Sequence, residues 1–77
     1  MEAKIYGIPR CSWCDRVAKI LEDRKVTVEK IDVSESKDLI KEMQKAAEEK
    51  VTTVPQVIID GKYIGGYTEV ERFLNRL

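Results

Sequence analysis

The chain has 77 residues, with 14 basic and 14 acidic side chains, no histidine and a formal net charge of zero. This length suits one small domain over residues 1–77. The balanced, interspersed charges exclude the strong basic field typical of nucleic-acid binding. No apolar run reaches membrane-spanning length, and no leader pattern precedes the first apolar stretch. We therefore expect a monomer of the reducing cytoplasm without nucleic-acid or membrane partners.

Apolar residues alternate or recur at helical spacing in seven segments. In chain order we predict a strand over 3–6, a helix from 13 to 21 and a strand over 26–33. The second helix begins after the N-cap candidates Ser34 and Ser36 and ends near Lys50. Two strands over 57–59 and 63–64 follow, and the last helix has the buried face Val70, Phe73, Leu74 and Leu77. This β-α-β-α-β-β-α order predicts an α/β fold with one mixed four-stranded sheet and three helices. Its first β-α-β unit should be parallel and its last two strands antiparallel.

Two local signals mark the last elements. Asp60-Gly61 lies between two apolar runs and predicts a tight hairpin, because both residues tolerate a positive φ. Thr68 followed by Glu71 has the spacing of a capping box and predicts the start of the last helix.

The motif Cys11-Ser12-Trp13-Cys14 lies between the first strand and the first helix. This position puts the Cys11 sulfur at a helix start, where unpaired N–H groups and the helix dipole favour an anion. Such an environment lowers a thiol pKa from about 8.5 into a range of roughly 3.5–7.5. We therefore predict that Cys11 is the nucleophile of thiol–disulfide exchange. Cys14, one turn further along the helix and more buried, would be the resolving cysteine.

Other uses of two cysteines stay open at this point. A structural disulfide at this spacing closes a very short loop and contributes only about 2 kcal/mol in the chain-entropy model. A zinc or iron–sulfur site needs four ligands, so a second chain or external thiols would have to complete it. The absence of histidine excludes a cysteine protease with an imidazole base.

The two residues between the cysteines are expected to shape the surroundings of the reactive thiol. Trp13 is a candidate for an apolar wall beside the sulfur. The hydroxyl of Ser12 has two candidate roles, as the cap of the helix or as a donor to the Cys11 thiolate.

Further motifs make the chain similar to the glutaredoxins of the thioredoxin superfamily over nearly its whole length. Thr53-Val54-Pro55 precedes the third strand, where that family carries a Thr/Ser-Val-Pro segment with a cis proline. Gly65-Gly66-Tyr67-Thr68-Glu69 matches the family's Gly-Gly turn and polar helix start. The resemblance implies a thioredoxin-like fold and a glutathione-dependent dithiol enzyme.

The same resemblance implies a glutathione-binding groove. The residue before the cis proline would offer its backbone to the cysteine of glutathione, and the start of the last helix would bind the γ-glutamyl carboxylate. Glu69 would take the ammonium group, and Arg10 is a candidate for the glycyl carboxylate. The expected glutathione-binding residues are Arg10, Trp13, Thr53, Val54, Pro55, Gly66, Tyr67, Thr68 and Glu69.

The chain also departs from the family pattern. Ser12 and Trp13 stand where many members have proline and tyrosine, Glu69 stands where aspartate is usual, and Ile8 stands where a basic residue is common. A serine at this position also occurs in members that hold a [2Fe–2S] cluster between two chains, so a cluster-carrying dimer is one alternative. The apolar Ile8 favours another alternative, an electron donor that is reduced by thioredoxin reductase.

The leading interpretation is a glutathione-dependent oxidoreductase that uses Cys11 and Cys14 and needs no tightly bound cofactor or metal. It would reduce protein disulfides and glutathione mixed disulfides. By family analogy, ribonucleotide reductase is a candidate protein substrate.

Overall fold

The computed structural model describes residues 1–77 and contains four strands and three helices. The elements are β1 (Glu2–Gly7), α1 (Ser12–Asp23), β2 (Thr27–Asp32), a 3₁₀ turn (Val33–Glu35), α2 (Lys37–Ala47), β3 (Gln56–Ile59), β4 (Lys62–Gly65) and α3 (Tyr67–Asn75). The strands form one sheet in the order β2-β1-β3-β4, in which only β1 and β2 are parallel. The predicted mixed sheet with three helices is therefore confirmed. None of the helices has the length and apolar character needed to cross a membrane.

Helix α2 has one of the two predicted N-caps and a shorter C-terminus than predicted. Ser36 is the N-cap, and its Oγ accepts a hydrogen bond from the N–H of Leu39 at 3.2 Å. The helix ends at Ala47 rather than near Lys50, because Glu48 adopts a left-handed conformation with φ of 58°. A residue in this conformation turns the chain out of the helical path.

Helix α3 does not use the predicted capping box of Thr68 and Glu71. Because β4 ends immediately before Gly66 and the chain turns directly into the helix, Gly66 is the N-cap. Its N–H donates to Oε1 of Glu69 at 2.9 Å. Thr68 lies in the first turn of the helix, and Glu71 instead accepts a hydrogen bond from the Tyr67 hydroxyl at 3.4 Å.

The hairpin between β3 and β4 turns at the predicted dipeptide. Asp60 and Gly61 have φ values of 49° and 81°. The Asp60 carboxylate also accepts a hydrogen bond from the N–H of Glu2 at 2.9 Å, which ties the turn to the start of β1.

The two faces of the sheet carry separate apolar clusters. The larger one joins β1 and β3 to α1 and α3 and consists of Ala3, Ile5, Val17, Ala18, Leu21, Val26, Val57, Ile59, Val70 and Leu74. Burial of each larger side chain in this set contributes about 1.5–3 kcal/mol. This packing joins α1, which carries the cysteines, to α3.

The smaller cluster packs under α2 and includes a buried phenol. Tyr6 packs with Val33 and Met43 and is 3% exposed. Its hydroxyl donates to Oε2 of Glu42 at 2.8 Å. Burial and then this hydrogen bond to a carboxylate raise the pKa of Tyr6 to about 12.

This tyrosine should make stability fall at alkaline pH. The unfolded phenol has an ordinary pKa near 10, so its contribution is complete below pH 10 and is lost as the pH rises towards the folded value of about 12. Between pH 9 and 12 we expect the free energy of unfolding of the native chain to fall by roughly 2–3 kcal/mol more than that of Tyr6→Phe. Urea denaturation at each pH measures the difference, and parallel declines would contradict the prediction.

Candidate active site

A disulfide between Cys11 and Cys14 lies at the junction of β1 and α1. Cys11 is the N-cap of α1, and its Sγ accepts a hydrogen bond from the N–H of Cys14 at 3.1 Å. Cys14 is 7% exposed, whereas Cys11 is half-buried. The predicted helix-start position of Cys11 and the deeper burial of Cys14 are therefore confirmed.

The buried sulfur of Cys14 packs closely against the end of β1. A Cβ atom at Gly7 would lie 2.9 Å from the Sγ of Cys14, so the end of β1 needs glycine for the buried sulfur to pack there. Ser12 is exposed at the first helical position and is not the N-cap, because Cys11 itself is the cap. Its expected hydrogen bond to the Cys11 thiolate stays a prediction for the dithiol form.

A groove of about 360 Å³ lies between Trp13 of the motif, the segment before β3 and the start of α3. Its lining includes eight of the nine expected glutathione-binding residues: Trp13, Thr53, Val54, Pro55, Gly66, Tyr67, Thr68 and Glu69. The remaining lining residues are Glu49, Val51, Gln56 and Tyr63. The fold thus brings three distant segments of the chain to one groove, which we call the thiol groove.

Arg10, the ninth expected residue, lies outside the thiol groove. It has a left-handed backbone with φ of 60° and lines a separate cavity of about 250 Å³. That cavity is bounded by β1, β2 and Cys14 and also contains Lys30, whereas the thiol groove is bounded by α3 and the residues around β3. Arg10 precedes α1 on the β2 side of the motif, and this placement separates it from the groove.

The thiol groove offers unpaired main-chain groups. The Val54–Pro55 peptide bond is cis, as the family resemblance implied, and neither the N–H nor the C=O of Val54 has a partner within the chain. At the start of α3 the N–H groups of Tyr67, Thr68 and Glu69 are also unpaired. An extended backbone segment and a helix N-terminus, which favours anions, therefore line the same groove.

A buried glutamine braces the segment before β3, and sequence reasoning missed it. Gln56 is 6% exposed, and its Nε2 donates to the carbonyl oxygen and the Oγ1 of Thr53 at 3.0 and 3.1 Å. Its Oε1 accepts from the hydroxyl of Tyr63 at 2.7 Å. The available sequence signal was a polar residue at the first position of the otherwise apolar strand Gln56–Ile59.

Aromatic rings form the wall of the groove nearest the cysteines. The Trp13 and Tyr67 ring centroids are 5.1 Å apart, so the wall joins α1 to α3. The guanidinium carbon of Arg16 lies 4.7 Å from the Trp13 ring centroid, an attractive cation–π contact. Trp13 is 50% exposed and thus available to a bound molecule.

The charged residues that line the thiol groove are both acidic. Burial raises the pKa of Tyr63, and the nearby negative charges of Glu49 and Glu69 raise it further. Glu49 was not among the residues selected from the sequence. No group of three or more His, Cys, Asp or Glu side chains is arranged to hold a metal ion.

A cysteine pair at a helix N-terminus, next to a cis-proline segment that leaves backbone groups unpaired, defines a thiol–disulfide oxidoreductase of the thioredoxin-like fold. Comparisons with known proteins agree. The family model described as Glutaredoxin matches residues 3–64, so the chain belongs to the glutaredoxin family.

Individual relatives show how far the similarity extends. A glutaredoxin of Haemophilus influenzae is 35% identical over 75 residues, which cover 91% of this chain and 86% of that protein. The hybrid peroxiredoxin hyPrx5 of the same organism is 30% identical over 90% of this chain, which spans only 27% of that longer protein. A buckwheat glutaredoxin solved in complex with glutathione shares the fold with a TM-score of 0.78; it is 23% identical, and the match covers 96% of this chain and 68% of that one.

The helix-start position of Cys11 predicts a reactive thiolate in the reduced protein. Because the Cys14 N–H donates to the Cys11 sulfur, we expect iodoacetamide to alkylate Cys11 with a midpoint at least about one pH unit below the 8.5 of an ordinary thiol. The measurement is the alkylation rate of reduced Cys14→Ser against pH. A midpoint near 8.5 would contradict the role of the helix terminus.

The Gln56 brace predicts a specific defect in substrate binding. Gln56→Met removes both hydrogen bonds to Thr53, so we expect a loss of about 1–3 kcal/mol of stability and a higher KM for a small disulfide substrate. Tyr63→Phe is the matched control, because it removes only the bond from Tyr63 to Gln56 and should raise KM less. An unchanged KM in Gln56→Met would argue against the brace.

Proposed function

We propose that this chain is a dithiol enzyme that reduces protein disulfides and glutathione mixed disulfides, with glutathione as its reductant. The observation that carries the proposal is the placement of the Cys11–Cys14 disulfide beside a groove with unpaired main-chain groups of Val54 and an open N-terminus on α3. A cysteine-containing peptide matches both features, since it presents a thiol together with backbone groups and a carboxylate.

Reduction of a substrate starts from the dithiol form. The Cys11 thiolate attacks one sulfur of the substrate disulfide, a new S–S bond forms, and the other substrate sulfur leaves as a thiolate that takes a proton from water. Cys14 then loses its proton and attacks the Sγ of Cys11, which releases the second substrate sulfur as a thiol and forms the Cys11–Cys14 disulfide. The substrate gains two electrons and the protein loses two.

Glutathione returns the protein to its dithiol form. One glutathione thiolate attacks the Sγ of Cys11, so Cys14 leaves as a thiolate and is protonated. A second glutathione attacks the sulfur of the bound glutathione, and Cys11 leaves as a thiolate. The N–H of Cys14, which lies 3.1 Å from the Cys11 sulfur, stabilises that leaving group in both directions of exchange.

Several groups of the thiol groove support glutathione as the bound peptide. The unpaired backbone of Val54 suits pairing with the cysteinyl residue, and the free N–H groups of Thr68 and Glu69 suit the γ-glutamyl carboxylate. One oxygen of Glu69 accepts from Gly66, which leaves the other for the ammonium group. The shared fold of the buckwheat glutaredoxin–glutathione complex is consistent with this placement.

The proposed setting is the reducing cytoplasm, where a dithiol cycle of this kind can be sustained by a glutathione pool. We propose that the protein acts there as a monomer on disulfide-bonded or glutathionylated proteins, with ribonucleotide reductase as one candidate.

Replacement of Cys11 and replacement of Cys14 should have different effects on activity. We expect Cys11→Ser to lose all exchange activity, at least about a thousandfold, because no attacking sulfur remains. Cys14→Ser should retain glutathione-dependent release of glutathione from a glutathionylated peptide, since free glutathione replaces the resolving cysteine, but should lose reduction of protein disulfides. Equal losses of peptide deglutathionylation in both variants would refute the proposed division of roles.

The identity of the reductant is tested by incubating the oxidised protein with glutathione and, separately, with thioredoxin reductase and NADPH. Trapping with a maleimide and mass spectrometry counts the thiols formed. Reduction by glutathione supports the proposal, whereas reduction by the reductase alone overturns it. Recovery of a brown protein after anaerobic purification would favour the cluster-carrying alternative.

A further inference from the structure

The thiol groove combines the two glutamates with a complete absence of basic side chains. Glu49 and Glu69 are its only charged lining residues, although the chain has 14 lysines and arginines. The guanidinium of Arg16 lies over the Trp13 ring, but Arg16 is not part of the lining. The α3 N-terminus supplies only about half a positive charge, which cannot balance two carboxylates.

Main-chain contacts hold the carboxylate of Glu69 and the backbone of Glu49. Oε1 of Glu69 accepts from the N–H of Gly66 at 2.9 Å. The backbone of Glu49 is fixed where α2 ends, since its N–H donates to the carbonyl of Gln44 at 3.3 Å and its carbonyl accepts from the N–H of Val51 at 2.9 Å. The side chain of Gln44 also donates to the carbonyl of Val51 at 3.1 Å. The acidic character of the groove is therefore a property of the fold.

We propose that the acidic thiol groove selects disulfide substrates whose reactive cysteine is flanked by lysine or arginine, and that Glu49 determines this specificity. The proposal rests on the function proposed above and names its substrate class. One oxygen of Glu69 is engaged by the Gly66 N–H, whereas the Glu49 carboxylate has no hydrogen bond or ion pair, so Glu49 is the more available of the two carboxylates.

The acidic groove should repel glutathione at its glycyl end. Glutathione carries two carboxylates and one ammonium group, and the groove provides no basic side chain for the glycyl carboxylate. A polypeptide disulfide has no carboxylate at that point of its chain, and a flanking lysine replaces repulsion with attraction. Protein disulfides with basic flanks should therefore react faster than glutathione mixed disulfides.

The test uses three acetylated and amidated peptides that differ only in the residues beside one cysteine, which are lysines, glutamines or glutamates. Each peptide, and glutathione itself, is supplied as its mixed disulfide with thionitrobenzoate. Cys11 of the reduced protein attacks the peptide sulfur, thionitrobenzoate leaves as the coloured thiolate, and Cys14 then releases the peptide thiol. Each rate is divided by the rate of the same disulfide with dithiothreitol, which corrects for intrinsic reactivity.

We expect the native protein to react at least about fivefold faster with the lysine peptide than with the glutamate peptide at low salt, and the ratio to shrink in 1 M salt, where screening acts within about 3 Å. In Glu49→Gln the ratio should fall at least about twofold, and the glutathione disulfide should react faster. Glu48→Gln is the matched control, because it removes the same charge from the neighbouring residue, which does not line the groove.

Equal corrected rates for the lysine and glutamate peptides would overturn the charge preference. Equal falls of the ratio in Glu49→Gln and Glu48→Gln would overturn the assignment to Glu49. A protein that reacts with the peptides in the expected order but not with the glutathione disulfide would refute glutathione as the partner and leave the charge preference standing.

Discussion

The active site depends above all on the residue at which α1 begins. Cys11 is the last non-helical residue, and its sulfur takes the place that a serine or aspartate oxygen usually has at an N-cap. One turn later, Cys14 lies on the same side of the helix and is buried against Gly7. Each residue rotates the helix by about 100°. If α1 began one residue earlier or later, Cys11 would no longer be the N-cap and its sulfur would lose the hydrogen bond from the N–H of Cys14.

The register of the sheet brings the other parts of the site to this helix start. Tyr6 pairs with Gln56, so the end of β1 lies level with the first residue after the cis proline. Val57 pairs with Gly65, which places the start of α3 beside the first residues of β3. A slip of one residue in either pairing would exchange the faces of a strand and move its buried set into solvent. Core packing and groove geometry are therefore fixed by the same hydrogen bonds.

Sequence reasoning succeeded where the signal was local. Alternation, helical spacing, the Asp60-Gly61 turn and the cysteine motif gave the elements and the reactive pair, and the family resemblance gave most of the groove. It failed where a contact depends on tertiary placement. Gln56 is buried and bonded to Tyr63 on the next strand only once the hairpin has formed, and Glu49 lines the groove where Glu48 ends α2 early. Gln56 had only a weak local signal, as a polar residue at the start of an apolar strand, and Glu49 had none that distinguishes it from an ordinary surface glutamate.

The groove separates recognition of a peptide backbone from recognition of its charge. Val54 and the first N–H groups of α3 provide polar contacts that any cysteine-containing peptide could use, so they give affinity without much discrimination. In the proposed specificity, the carboxylates of Glu49 and Glu69 attract or repel charged side chains and termini and therefore discriminate among disulfides. The reactive sulfur of Cys11 is separate from both the main-chain groups and the carboxylates, since its ionisation depends on the start of α1. A change in the charge of the groove could thus redirect the enzyme to other disulfides while the chemistry of the cysteine pair stays the same.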